Sequence, residues 1–158
     1  RLATNRLSFL NASLLLVYTG EQRSASVVLE NQEKRNKSGA NESYLREMYE
    51  MTRVGASILE ADGDDRAAIV RFAELLDHGW KLKRMLGTAV SNTTIDKLYL
   101  HGKELGAWGG KLLGAGGGGF VLFLADPEVH GVFIERFGAE RVIPVSLTNG
   151  GSTVSNIL

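Results

Sequence analysis

Residues 110–119 read Gly-Lys-Leu-Leu-Gly-Ala-Gly-Gly-Gly-Gly and run straight into Phe-Val-Leu-Phe-Leu-Ala. Nothing else in the chain constrains the fold so tightly. Five of the six residues from 114 to 119 lack a Cβ, so the backbone there can take positive φ and approach another surface closely. The apolar run that follows reads as a buried strand. A glycine loop opening on a buried strand suits the wall of a phosphate or sugar site better than a flexible linker, which would not be flanked by Leu112-Leu113 and Phe120.

The order of elements decides which kind of loop this is. Gly114-x-Gly116-x-x-Gly119 matches the dinucleotide-binding pattern by letter, but that fingerprint needs a strand before the glycines and a helix after them. The pattern here reads as helical before and strand after, which excludes it. A Walker A loop is excluded because no Lys-Ser/Thr follows the glycines.

Elsewhere, residues 13–18 read as a central strand closed by the Thr19-Gly20 turn, and residues 23–34 as a helix. Leu45, Met48, Thr52, Gly55, Ala56 and Leu59 fall on one face of a second helix, stopped by Asp62-Gly63. Asp64 or Asp65 caps a third helix over about residues 66–86, with Ile69, Phe72, Ala73, Leu76 and Trp80 in one stripe. Asn92 or Thr93 caps a fourth, and Gly106 ends it. Asp126-Pro127 opens a last helix, residues 142–147 read as a strand, and Ile157-Leu158 as a short edge strand. Three or four strands interleaved with five helices predict an α+β sandwich of ferredoxin-like type with inserted helices.

Bulk properties exclude several function classes. The 158 residues suffice for one domain with a real core. Eighteen basic and eighteen acidic side chains leave no excess charge to attract nucleic acid or a membrane surface. Without cysteine there is no disulfide, thiolate metal site or cysteine nucleophile. No signal peptide or long apolar run is evident, so a soluble chain is expected, and a cysteine-free one is compatible with the cytoplasm.

Thr19-Gly20-x-x-Arg23 is a second candidate site: a hydroxyl at a strand end, a flexible turn and an arginine at a helix start make an anion receptor. Lys111 could hold a phosphate as a point charge or pair with a neighbouring acid. Lys83 and Arg84 read as a solvated helical face. His78, His101 and His130 show no ligand spacing, and Glu42, Glu47, Glu50 and Glu60 form no carboxylate pair. The acidic stretch 62–65 lacks the spaced ligands of a calcium loop. No catalytic base, nucleophile or metal site emerges.

Gly110-Lys111-x-x-Gly114-Ala115-Gly116-x-Gly118-Gly119 entering an apolar strand resembles the third conserved motif of the GHMP small-molecule kinases. The run from Leu14 to Ala25, Trp80-x-Leu82-Lys83-Arg84 and Ser91-Asn92-x-x-Ile95-Asp96 look like the D-glycero-D-manno-heptose 7-phosphate kinase branch. The resemblance implies a C-terminal substrate domain, with Thr19, Gly20, Arg23, Arg84, Lys111 and the glycine loop (Gly110, Gly114, Ala115, Gly116, Gly117, Gly118, Gly119) around a sugar-phosphate acceptor. It also implies ATP and Mg²⁺ bound mainly by an N-terminal domain with a Pro-x-x-x-Gly-Leu-Gly-Ser-Ser-type loop. No such loop occurs here and the sequence opens on Arg1, so the expectation is the C-terminal part of a longer kinase, inactive alone and prone to self-association. A fucokinase-like sugar kinase and a non-catalytic ferredoxin-like binding module are the alternatives.

Overall fold

The structure, a computed structural model, describes residues 2–22 and 25–148. Helix α1 (Thr4–Ser13) leads into strand β1 (Leu14–Tyr18), and four helices follow: α2 (Ala25–Lys37), α3 (Glu42–Glu60), α4 (Asp65–Met85) and α5 (Thr93–Glu104). The chain then forms the hairpin β2 (Ala107–Leu112) and β3 (Phe120–Ala125), a 3₁₀ turn (Pro127–Val129), α6 (His130–Phe137) and β4 (Val142–Pro144).

The strands form one antiparallel sheet in the order β2-β3-β1-β4. The path β1–helices–β2–β3–α6–β4 across that order is the ferredoxin-like one, with several helices filling the first crossover. The expected fold class therefore holds. Alternation along the strands divides the apolar side chains between the two faces. Leu15, Val17, Val121 and Phe123 meet Trp80, Ile95 and Phe133 on one side. Leu14 and Leu124 meet Leu10, Ile69 and Ala73 on the other.

Caps expected from the sequence are in place. Asp64 accepts from the Ala67 N–H at 2.6 Å and Asn92 from the Ile95 N–H at 3.0 Å. Asp126 accepts from the Glu128 N–H at 3.1 Å, although the turn that it caps is 3₁₀ before α6 begins.

Four expectations need correction. The glycine loop was expected to follow directly on a helical stretch ended by Gly106; residues 107–112 instead form strand β2 between that helix and the glycines, so the loop is a hairpin turn. The dinucleotide reading still fails, because a strand and not a helix follows the glycines. Gly109 explains the strand: a Cβ there would lie 1.9 Å from the Ala73 carbonyl oxygen, so only glycine lets β2 pack directly on α4. Helix α1 was not anticipated. It is held by the buried Arg6, whose guanidinium donates to Asp65 (3.0 Å) and to the carbonyls of Leu59 (3.0 Å), Ala61 and Gly63 (3.1 Å) at the α3–α4 turn.

The expected inner face of α3 is only partly covered. Gly55 is buried, but Met48, Thr52, Ala56 and Leu59 line an open cleft of about 440 Å³ against Phe72, Leu75 and Leu76 of α4. Finally, β4 is shorter than the expected residues 142–147. The edge strand expected at 157–158 lies outside the described residues.

Candidate functional site

The two loops singled out in the sequence meet at the end of the β1–β3 pair. The Gly119 carbonyl accepts from the Thr19 N–H and from its hydroxyl, both at 2.9 Å. In return the Gly119 N–H donates to the Glu21 carbonyl at 3.0 Å, and the Glu21 N–H donates to Thr19 Oγ1 at 3.1 Å. Thr19 is 2% exposed, so its hydroxyl is spent on holding the loops together. It is a positioning group for this site.

The glycines permit this stitching. Gly114, Gly116, Gly117 and Gly119 all have positive φ, between 72° and 126°, where L side chains are strained. Two of the loop residues also have no room for a side chain. A Cβ on Gly116 would lie 2.8 Å from the Val90 carbonyl oxygen, and one on Gly118 would lie 2.5 Å from that of Glu21. The Gly117 N–H donates to Val90 at 2.9 Å, which fixes the loop against the segment between α4 and α5. Gly20, at φ 79°, is exposed and has open space where a Cβ would be.

From α4, Lys83 reaches the loop and donates from Nζ to the Gly114 carbonyl. Burial holds its ammonium pKa below the ordinary lysine value, and the charge of Lys111 lowers it further. Lys111 is half-buried on β2 and lines the rim of the α3–α4 cleft. Beside it, the Tyr99 hydroxyl lies 3.0 Å from the Gly110 carbonyl and 2.5 Å from Asp77 Oδ1. Asp77 in turn pairs with Lys81 at 2.7 Å. Burial raises the Tyr99 phenol far above its ordinary value, and the Asp77 carboxylate adds to the shift. This network fixes the strand that enters the loop.

Thr19, Gly20 and the glycine loop are therefore brought together, with Lys111 close by on β2. Arg84 is engaged elsewhere: it pairs with Asp96 at 2.7 Å, and Asp96 also accepts from Ser91 at 2.6 Å. The helical neighbour read as solvated, Lys83, is the one that touches the loop. Arg23 lies outside the described residues. Among the described residues no group of three or more His, Asp or Glu side chains is placed to hold a metal ion.

Residues 65–142 match the family described as GHMP kinases C terminal. The chain carries a GHMP kinase C-terminal domain. A D-glycero-alpha-D-manno-heptose 7-phosphate kinase of Campylobacter jejuni is 32% identical over 76% of this chain and 34% of its own length. A bifunctional fucokinase/GDP-fucose pyrophosphorylase of Arabidopsis thaliana is 31% identical over 75% of this chain and 11% of its own. The chain thus spans about a third or less of the curated relatives it matches. L. major mevalonate kinase shares the fold, with a TM-score of 0.63 over 85% of this chain and 43% of that one, at 19% identity. No helix among the described residues of this GHMP domain is long and apolar enough to cross a membrane.

Proposed function

We propose that this GHMP domain is the acceptor-binding part of an ATP-dependent sugar kinase that transfers the ATP γ-phosphate to a phosphorylated heptose. The observation that carries the reading is the 32% identity to the Campylobacter heptose 7-phosphate kinase over three quarters of the chain, glycine loop included. In phosphoryl transfer, most of the catalysis is positioning and charge neutralisation. A rigid wall stitched from Thr19, Gly20 and the glycine loop supplies the positioning.

ATP and Mg²⁺, which supply the transferred group and neutralise its charge, fall to a companion N-terminal domain. Asp77 is committed to Lys81 and Tyr99, and Asp96 to Arg84 and Ser91. Arg23, four residues beyond Thr19, is proposed to face the acceptor with them. The cytoplasm, where ATP and sugar phosphates are at hand, is the compartment that this reading implies.

A fucokinase reading has the Arabidopsis relative in its favour. Acceptor choice separates the two. ADP release by the complete gene product is expected with heptose 7-phosphate and not with fucose. The reverse preference would assign the fucokinase reading, and no release with any sugar would leave a binding module without chemistry.

A further inference from the structure

We propose that the cleft between α3 and α4 binds a monoanionic amphiphile, an unbranched fatty carboxylate whose chain lies along the cleft and whose head group pairs with Lys111. The proposal does not rest on the kinase reading: neither Thr19, Gly20 nor any residue from 114 to 119 lines this cleft.

Two polar ties set the width of the cleft. At one end the Arg6 guanidinium donates to the Leu59 and Ala61 carbonyls and pairs with Asp65, which pins the α3–α4 turn. At the other end Glu47 of α3 and His78 of α4 meet at 2.5 Å. Between these ties, from Met48 to Leu59, α3 runs about 16 Å. Over that length it stands off α4 across a space of about 440 Å³, a volume in the range of small-molecule sites. Met48, Met51, Leu59, Phe72, Leu75 and Leu76 line the space, and all six are half-buried. Apolar surface is gathered here and left open.

Two helix-interior glycines shape the floor. A Cβ on Gly55 would lie 3.3 Å from the Phe72 ring, and one on Gly79 would lie 3.2 Å from Met51 Cε. Glycine weakens a helix interior relative to alanine, and here it leaves the methionine room to move. Unbranched, polarizable methionine side chains repack readily around a flexible apolar partner.

Lys111 sets the polarity of the ligand. Among the described residues that line the cleft it carries the only charge, and no ion-pair partner is found for it among the described residues. The neighbouring cations are already neutralised, Lys81 by Asp77 and Arg84 by Asp96, both at 2.7 Å. Thr52, the other polar side chain of the lining, donates to the Tyr49 carbonyl of its own helix at 2.7 Å. A sugar or a peptide would therefore leave its polar groups unpaired in this cleft. A half-buried ammonium at the rim of an apolar space matches a single negative charge at the end of an apolar chain.

Calorimetric titration of the complete gene product with decanoate, decanol and decylammonium tests the site. Decanoate is expected to bind at one site, more tightly than either of the others. Lys111→Met keeps the apolar stem and removes the charge. It is expected to weaken decanoate about tenfold, as for one charge-assisted contact at a partly exposed rim, and to leave decanol within about twofold. Lys111→Arg should hold decanoate within a few-fold. Ala56→Trp, at an exposed position of the lining, fills the cleft and is expected to abolish binding of decanoate and decanol alike. It also serves as an independent variant should Lys111→Met fail to fold.

Absence of decanoate binding, decylammonium bound as tightly as decanoate, or a decanoate affinity unchanged by Ala56→Trp overturns the proposal. Sedimentation velocity supplies a further arm. A self-associated wild type that Ala56→Trp renders monomeric and decanoate leaves associated overturns it too, and makes the cleft an interface between copies of this chain. Because ADP release plays no part in these readouts, each outcome is separate from the fate of the kinase reading.

Discussion

Thr19→Val tests whether the site is held by the hydroxyl of one buried residue. Valine has nearly the shape of threonine, so packing is preserved while Oγ1 is lost. In the structure that oxygen donates to the Gly119 carbonyl at 2.9 Å and accepts from the Glu21 N–H at 3.1 Å. The Gly119 carbonyl keeps the Thr19 N–H as a donor, but the Glu21 N–H loses its acceptor, the hydroxyl of a residue 2% exposed. One net hydrogen bond lost and one donor stranded cost about 2 kcal/mol. For a chain of this length that lowers the melting temperature by about 4–8 °C.

Thr19→Ser is the control. It keeps the oxygen and removes one methyl, worth about 0.8 kcal/mol, and so lowers the melting temperature by about 2–3 °C. Both are read by circular dichroism melts at neutral pH. A Thr19→Val protein melting within about 1 °C of the wild type, or a Thr19→Ser protein falling as far, would refute the reasoning.

Three further outcomes follow from the geometry. Gly118→Ala places a methyl 2.5 Å from the Glu21 carbonyl oxygen, and parting the loops is expected to cost about 1–3 kcal/mol and to raise the acceptor KM of the complete kinase; an unchanged KM would remove the loops from the acceptor wall. Arg6→Met leaves Asp65 and three carbonyls of the α3–α4 turn without their donor, an expected loss of about 3 kcal/mol read from denaturant melts, and a loss under about 1 kcal/mol would show that α1 is held by its apolar contacts alone. Burial opposes ionisation of Asp77, but the hydrogen bonds from Lys81 and Tyr99 and the charges of Lys103 and Lys81 outweigh it and hold the carboxyl below its ordinary value of 3.8. Its stabilising contribution is thus present above that pH and lost as pH falls below it, so Asp77→Asn should flatten the acid limb of melting temperature against pH; an identical limb would contradict the assignment.

Local chemistry made much of this fold legible in the sequence. Asp64, Asn92 and Asp126 cap where their side chains predict, because a cap depends on residues three or fewer apart. Leu14 to Val17 and Phe120 to Leu124 read as strands because they are short apolar runs bounded by turn residues, Thr19-Gly20 after the first and the glycine loop before the second. Strand β2 was not legible. Ala-Trp-Gly-Gly-Lys-Leu has two glycines and no β-branched residue, and it is a strand because Gly109 admits α4 and β3 supplies the pairing. Helix α1 has no apolar stripe to read, and the arginine that anchors it finds its partners more than fifty residues away.

Within the site, the glycine loop declared itself by composition, and Thr19 by its place at a strand end. The resemblance singled out Arg84 and left Lys83 on a solvated face. Adjacent helical residues point about 100° apart, and only the tertiary structure shows that Lys83 meets Gly114 while Arg84 meets Asp96.

The most direct test of the account is phosphoryl transfer itself. Radiolabel from the γ-position of ATP should move, in the presence of the complete gene product, onto heptose 7-phosphate to give a heptose bisphosphate. Fucose and other unphosphorylated sugars should remain unlabelled. Label reaching only an unphosphorylated sugar, or none of the acceptors, would contradict the claim that this domain forms the acceptor wall of a heptose phosphate kinase.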